Sequence, residues 1–306
     1  MANTFAPNGF NQYLGTGATP TYEHVAMAIA SANATPIFTG DPVIQATGTT
    51  GVGTGYITQA PVTAPTLAIS GFALSNGIVT ATFTTTSAPP IGSTLVLTGL
   101  TTATTLNGAW TVLSSTTTTA TFAYAGAALS TQATTGYLYI PIAGVFVGCK
   151  YLSTSQKRTV WSPYWPGSDA NGDVTAYIVS DPNAQFVVQT ANSNTTATAV
   201  GIASVGQNIG FNWNDSTTTG ETNGNTAIGR STYFADQYTL IANSAVGAAS
   251  NAYLPFRVLG IQNYVVGGTS PIASSTVGAN TDPTLGYDNI IVGFNYAMNN
   301  RPGAGI

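Results

Sequence analysis

A run of 108 residues, from Pro42 to Cys149, contains no aspartate, glutamate, lysine, arginine or histidine. Charged side chains keep most soluble proteins dispersed, and titratable groups are what a catalytic domain uses to move protons or hold metals. A segment of this length without them is suited to packing, hydrogen bonding and contact with other surfaces. The run therefore favours an architectural role over a chemical one.

The rest of the chain is also poor in charge. Only 5% of its 306 residues are charged, against roughly 25% in an average soluble domain. It still has 15 Tyr, 12 Phe and 4 Trp, so it can bury a core. A net charge of −4 with only six cations predicts no direct nucleic-acid binding. There is no apolar run of about eighteen residues and no export signal in residues 1–15, so no membrane association is predicted.

Short alternating segments predict an all-β chain. Gly and Pro interrupt nearly every segment, and threonine is a poor helix former. In residues 79–83 and 120–124, apolar side chains alternate with Thr or Ala, which is the pattern of half-buried antiparallel strands. We predict an antiparallel β-sandwich or barrel-like host with a small immunoglobulin-like β-sandwich inserted in one of its loops.

Polar linkers mark the ends of the inserted unit. APVTAPT (60–66) stands at its start and STQATT (130–135) at its end. Removing the segment between them would leave the flanking strand patterns intact, as expected of an insertion at an exposed loop tip. We predict an inserted immunoglobulin-like domain at 60–136, and a β-rich host domain at 1–59 and 137–306 that begins with an N-terminal arm.

Three features bear on catalysis or metal binding, and each has a simpler structural explanation. The segment DANGD (169–173) spaces three oxygen donors like the start of a calcium loop, but Val174 and Ser180 stand where such a loop needs Gly and Glu, so a turn is favoured. His24 is the only histidine, and no GxSxG motif accompanies it. Cys149, the only cysteine, lies in an apolar run and is predicted to be a small buried hydrophobe. We predict no enzyme activity, cofactor or metal site.

Aromatic side chains cluster in the N-terminal arm and in a second segment flanked by prolines. Rigid aromatic groups of this kind serve as anchors at protein interfaces. We predict six assembly contacts: Phe5, Phe10, Tyr13, Trp161, Tyr164 and Trp165. The second cluster also suits stacking on sugars, and a glycoside-hydrolysing carboxylate pair among the ten acids stays open.

Four segments resemble a group of tailed-bacteriophage head proteins. They are MANTFAPNGF (1–10), NATPIFTGDPV (33–43), the stretch 145–189 that ends in DPNAQFVVQ, and DNIIVGFNYAMNN (288–300). In that group a MAN-x-x-AP-x-GF arm precedes an I-F-x-GDPV strand, and a strand with a DDPN-x-x-F-x-VQ pattern lies in the middle of the chain. The block at 60–136 departs from the shorter members and resembles immunoglobulin-like modules that phage structural proteins carry on exposed loops.

The resemblance implies a cement, or decoration, protein that binds the outer surface of the head and stabilises the capsomer lattice. It implies the major capsid protein as one partner and further copies of this chain, as a dimer or trimer, as the other. The protein would belong to a virion made in the host bacterial cytoplasm. Two alternatives stay open: the major capsid protein itself, whose long spine helix is not evident here, and a glycan-binding tail or adhesion protein.

Overall fold

The computed structural model describes residues 5–14, 24–46, 55–60, 66–84, 88–98, 100, 103–126, 136–139, 141–192, 200–213, 223–242, 254–262 and 286–297. The predicted all-β class is confirmed, since the one α-helix in these ranges, α1 (Gln237–Ala242), has six residues. Short 3₁₀ helices lie at Thr104–Leu106 and Ile202–Ser204. No helix within the described ranges is long and apolar enough to cross a membrane.

One sheet closes into what we call the C-terminal barrel. Its six strands are β1 (Asn11–Leu14), β18 (Gln185–Ala191), β19 (Asn208–Asn212), β22 (Phe234–Asp236), β23 (Phe256–Ile261) and β24 (Asn289–Phe294). Their order is β1-β18-β22-β19-β23-β24, and an additional pairing of β18 with β24 closes a ring of five. The arm strand β1 adds to the outside of this ring along β18.

A second sheet closes in the same way into the N-terminal barrel. Its strands are β2 (Val25–Ile29), β4 (Pro42–Ala46), β5 (Tyr56–Gln59), β14 (Gly144–Leu152), β15 (Thr159–Ser162) and β17 (Val174–Val179). The order is β15-β14-β17-β2-β5-β4, and β14 also pairs with β4. Two small ladders join β3 (Ile37–Phe38) to β16 (Tyr164–Trp165) and β20 (Gly224–Asn225) to β21 (Arg230–Ser231).

The charge-free segment between the barrel strands forms a two-layer sandwich, the inserted block. One sheet holds β6 (Thr66–Ile69), β9 (Thr94–Thr98), β10 (Gly108–Thr111) and β13 (Gly136–Tyr139). The other holds β7 (Gly71–Ser75), β8 (Ile78–Thr82), β11 (Ser114–Ser115) and β12 (Thr119–Ala123). The two sheets share one apolar cluster that includes Leu95, Leu97, Phe72 and Phe122.

The strand pairing moves both predicted limits of the inserted unit. Strand β13 runs to Tyr139 and pairs with β6 and β9, so a limit at residue 136 would cut it off from its own sheet. At the other end, Ala60 is buried in the core of the C-terminal barrel, and its N–H donates to the Pro42 carbonyl. The limits of the inserted unit are set by hydrogen bonds between strands that are distant in sequence, and the sequence pattern does not show which strands pair.

The two barrels have separate apolar clusters that meet at three strands of the N-terminal barrel, which are buried on both faces. Successive side chains of a strand point to opposite sides, and here neighbouring apolar residues divide between the two clusters. The pairs are Val43 and Ile44, Phe146 and Val145, and Ile178 and Val179, where the first member faces the N-terminal barrel cluster and the second the C-terminal one. A strand that is buried on both faces has consecutive apolar residues in its sequence. This explains why each pair, VI at 43–44, VF at 145–146 and IV at 178–179, consists of two adjacent apolar residues.

A tight turn at Gly40-Asp41 lies where the barrels meet. The Asp41 side chain is fully buried, and its Oδ2 accepts hydrogen bonds from the Phe38 N–H (2.9 Å) and the Gln59 amide (2.8 Å). Its Oδ1 has no partner among the described residues. Burial raises the pKa of this carboxyl from 3.8 to about 7, against the lowering effect of the hydrogen bonds.

We expect the inserted block to be separable once its limits are corrected. Val43 pairs with Gln59 on one side and Gly144 on the other, so the chain ends stand about 10 Å apart across two strand spacings. Replacing residues 61–140 by a Gly-Ser link of about six residues, long enough for that span, should leave a soluble β-rich protein. Circular dichroism and a cooperative melt measure this outcome, and aggregation of the shortened chain would show that the barrels need the block in order to fold.

Asp41 should make stability depend on pH. Between its ordinary pKa of 3.8 and its folded pKa of about 7, Asp41 keeps a proton in the folded state that it has lost in the unfolded state. The contribution of Asp41 to the free energy of unfolding is therefore fully present below pH 3.8 and is lost as the pH rises to 7. Asp41→Asn keeps an oxygen for both donors and cannot ionise. Relative to the wild type, the free energy of unfolding of this variant should therefore rise between pH 4 and pH 8, by roughly 1.4 kcal/mol for each unit by which burial raises the pKa of Asp41. Urea unfolding at pH 4 and pH 8 gives the difference in free energy of unfolding between the variant and the wild type. The same difference at both pH values would contradict a raised pKa for the buried carboxyl.

Candidate functional site

The six predicted contact residues do not share one surface. Phe10 and Trp165 are buried at 2% and 0% exposure, Phe5 and Tyr164 are half-buried, and Tyr13 and Trp161 are exposed at 42% and 66%. The prediction is therefore wrong for Phe10 and Trp165, whose side chains lie in the core of the chain itself. For the remaining residues, assembly contact stays a prediction.

Phe10 completes the core of the C-terminal barrel. Its ring stacks on Phe256 at 4.2 Å between centroids and meets Phe186 and Phe211 edge-on at 6.5 and 6.2 Å. Next to it, Phe5 packs edge-on against Phe234 at 5.8 Å. The described part of the arm, residues 5–14, is thus tied to its own subunit, because offset and edge-on aromatic pairs add to the free energy of burial.

The Pro-flanked cluster is divided between the interior and the surface. The indole N–H of Trp165 donates to the Asn33 carbonyl at 3.0 Å, which satisfies its one polar group inside the core. Tyr164 stacks on Phe38 at 5.2 Å with an interplanar angle of 5°. Trp161 alone projects outward, so the three rings cannot form one platform.

Trp161 is placed by the register of three strands on the outer face of the N-terminal barrel. It lies opposite Lys150 on β14, and Tyr177 of β17 lies opposite Gly148. The indole stacks on the Tyr177 ring at 5.6 Å and 12°, and the Lys150 ammonium lies 5.1 Å from the indole centroid. Two aromatic rings and one cation therefore form an exposed cluster in which stacking and cation–π attraction act together.

A β-bulge in β14 opens a groove beside this cluster. The register of β14 against β17 shifts between Phe146 and Gly148, which places an extra residue, Val147, in the strand. The groove has a volume of about 440 Å³ and is lined by His24, Val147, Gly148, Cys149, Trp161, Ser162, Pro163 and Tyr177. A Cβ at Gly148 would stand 3.1 Å from the Ser162 carbonyl oxygen, so a larger residue there would crowd the groove wall.

The groove does not present an activated nucleophile at Cys149. The side chain is buried, as predicted, and its thiol donates to the Tyr164 carbonyl at 3.4 Å. Burial raises the pKa of the Cys149 thiol to about 12, and the thiolate is the reactive form. At neutral pH this residue acts as an apolar group in the floor of the groove.

The carboxylates of the acidic loop at 169–173 accept hydrogen bonds from other groups of the protein. Asp169 accepts hydrogen bonds from the hydroxyls of Ser153, Thr154 and Ser155 and from the Ser155 N–H, and these bonds hold its pKa below the usual range. Asp173 accepts from the Tyr56 hydroxyl at 2.7 Å. The two carboxylates serve different neighbours, and no group of three or more His, Cys, Asp or Glu residues within the described ranges could hold a metal ion.

Three cationic side chains lie on the hairpin that carries Trp161. Lys150, Lys157 and Arg158, three of the six cations of the chain, all lie on the β14–β15 hairpin and are exposed. Sequence reasoning selected Trp161 but did not place Lys150, Tyr177 or His24 beside it. Alternation along each strand indicates that Lys150 and Tyr177 face outward, but only the register brings them to the indole.

No protein-family model matches the chain, and no curated protein and no solved structure matches it either.

Because Phe10 is buried, we expect it to stabilise its own subunit, and substitutions in the arm test this. Phe10→Ala should lower the free energy of unfolding by about 3–5 kcal/mol, the range for removing a fully buried phenylalanine. Tyr13→Ala, three residues away in the same arm but exposed, should change it by less than about 0.5 kcal/mol. Chemical denaturation of the free subunit measures both, and a small effect for both variants would return Phe10 to the list of assembly contacts.

Proposed function

We propose that this chain is a structural protein of a phage head, a cement or decoration protein that binds the outer capsid surface and stabilises the capsomer lattice. The observation that carries the proposal is the way the family-like segments meet. The Phe10 N–H donates to the Gly40 carbonyl at 3.0 Å, and the Gly40 N–H donates to the Phe146 carbonyl at 2.8 Å. Three segments that each resemble the phage group, and that lie far apart in sequence, are thus joined by consecutive hydrogen bonds.

The surface chemistry supports a binding role. Exposed apolar side chains occur on the barrels and on the inserted block, among them Trp161, Leu152, Leu259, Leu113 and Ile91. With 16 charged residues in 306, most contacts to the major capsid protein and to other copies of the chain would rely on apolar burial and on hydrogen bonds from Thr, Asn and backbone groups, and charge could contribute only where the few cations cluster. Such a protein would act in the virion after folding in the bacterial cytoplasm.

The role of the major capsid protein is the first alternative. That fold carries a long spine helix, whereas the only α-helix in the described part of this chain has six residues. This comparison favours the cement role over the capsid role. A glycan-binding tail or adhesion protein is the second alternative, and the exposed stack of Trp161 on Tyr177 is the observation that favours it.

Binding to heads assembled without this protein tests the proposal. The purified chain should co-sediment with such heads to a saturating stoichiometry, and cryo-electron microscopy should show it at symmetry-related positions on the outer surface. Heads that carry it should resist heat better than bare heads, because a ligand of the assembled state stabilises that state. Density within the capsid shell would instead indicate the major capsid role, and binding to host-surface polysaccharide without binding to heads would indicate the adhesion role.

A further inference from the structure

We propose that the β15 edge of the N-terminal barrel docks an extended, acidic segment of a partner protein by strand addition, with Trp161 as its aromatic anchor. This inference deepens the proposed function, on which it rests for the identity of the partner as a protein of the phage head. Three independent features of the β14–β15 hairpin carry it: an unpaired backbone edge, an exposed indole beside a groove, and a local excess of positive charge.

The backbone edge follows from the hydrogen-bond register. In the part of the chain that the structure describes, β15 pairs only with β14. The Ser153 N–H donates to the Arg158 carbonyl at 2.9 Å, and bonded pairs alternate along an antiparallel ladder. Val160 and Ser162 are therefore bonded to β14, whereas Thr159 and Trp161 turn their N–H and C=O groups away from it. Such an edge is a template for one more strand.

Side-chain recognition would come from the exposed indole of Trp161. A strand added to β15 would lie about 4.8 Å away, and its outward side chains would stand beside Trp161 as cross-strand neighbours. Trp161 is the most exposed of the large apolar side chains in the described ranges, at 66%. Its ring is already held against Tyr177, so little side-chain entropy would be lost when a partner covers it.

The charges define the chemistry of the partner segment. Lys150 lies directly opposite Trp161, and Lys157 and Arg158 precede β15 on the same edge. Asp169, whose carboxylate contacts the hairpin tip, accepts hydrogen bonds from that tip's own hydroxyls and N–H. A partner strand with Glu or Asp would complement this edge, and one with Lys or Arg would be repelled.

A second copy of this chain fits the edge less well. Of the six acids in the described residues, three are buried: Asp41, Asp236 and Asp288. The other three, Asp169, Asp173 and Asp181, lie outside strands. Within the described residues, no strand of another copy therefore offers exposed carboxylates, and on this count an acidic segment of a different protein complements the edge better.

Variants of the full chain binding to heads assembled without it test the proposal. Trp161→Ala removes the anchor and Thr159→Pro removes an outward N–H; each should weaken binding by about tenfold or more, as expected for an interface hot spot. Leu113→Ala removes an apolar side chain of 48% exposure from the inserted block and should change binding by less than about twofold. Melting temperatures near that of the wild type show that each variant is folded.

Charge is tested separately. Lys157→Gln with Arg158→Gln should weaken binding by about fivefold at 0.05 M salt, and the difference should nearly vanish at about 1 M salt, where the Debye length is about 3 Å. Ser75→Glu with Thr82→Glu changes the net charge equally at exposed positions of the block, and should have little effect. The occupant is identified by a photo-crosslinking amino acid at position 159, which should label an acidic segment of another head protein.

The outcomes separate the two proposals. If the wild-type chain does not bind heads, the proposed function fails and the partner fails with it. If the wild type binds and all the hairpin variants bind equally well, the docking surface is wrong while the proposed function stands. Crosslinks from position 159 to a second copy, or to a basic or helical segment of another protein, would also overturn the docking proposal.

Discussion

The hydrogen-bonded turn at residues 39–41 is the contact on which both barrels depend. Gly40 has a φ of +95° and lies so close to the arm that a Cβ would stand 3.0 Å from the Phe10 nitrogen. Thr39 accepts from the Ser231 N–H at 3.0 Å, and Asp41 accepts through its carbonyl from the Phe146 N–H at 2.8 Å. One turn thus bonds the arm, the β20–β21 hairpin and β14. Glycine is required there because the conformation and the space both exclude a side chain.

The junction buries the carboxyl of Asp41, which is unfavourable for its charged form. A buried carboxyl favours its protonated form, because burial disfavours the charged form. The Gly-Asp-Pro sequence nevertheless suits the turn, because Oδ2 accepts the N–H of Phe38 across it and Pro42 starts β4. Local hydrogen bonding by Asp and the fixed φ of proline are the usual means of shaping a turn. The same residues that organise the fold therefore introduce its clearest sensitivity to pH.

Threonine takes the place of charge on the surface of the inserted block. In the β8–β12 ladder, Thr119 lies opposite Thr82 and Thr121 opposite Thr80, while the alternate pair Phe122 and Val79 is buried. Hydroxyls also bond to each other, as between Ser114 and Thr121 at 2.6 Å. Cross-strand threonines supply both β propensity and hydrogen bonds. A surface built this way stays polar without the long-range fields that charged side chains would add.

The sequence by itself determined the all-β class, the two-layer pattern of the inserted block and the burial of Cys149, because these depend on local alternation and on the spacing of turn residues. Only the tertiary structure decided which aromatic residues are exposed. Trp161 and Trp165 are four residues apart in similar surroundings, yet Trp165 is covered by Tyr151 and bonded to Asn33, 132 residues away, while the neighbours of Trp161 leave most of its ring in solvent. Phe10 was likewise placed by Phe186, Phe211 and Phe256. Burial of a side chain depends on what the folded chain brings over it, and such contacts join residues whose separation in sequence leaves no periodic signal.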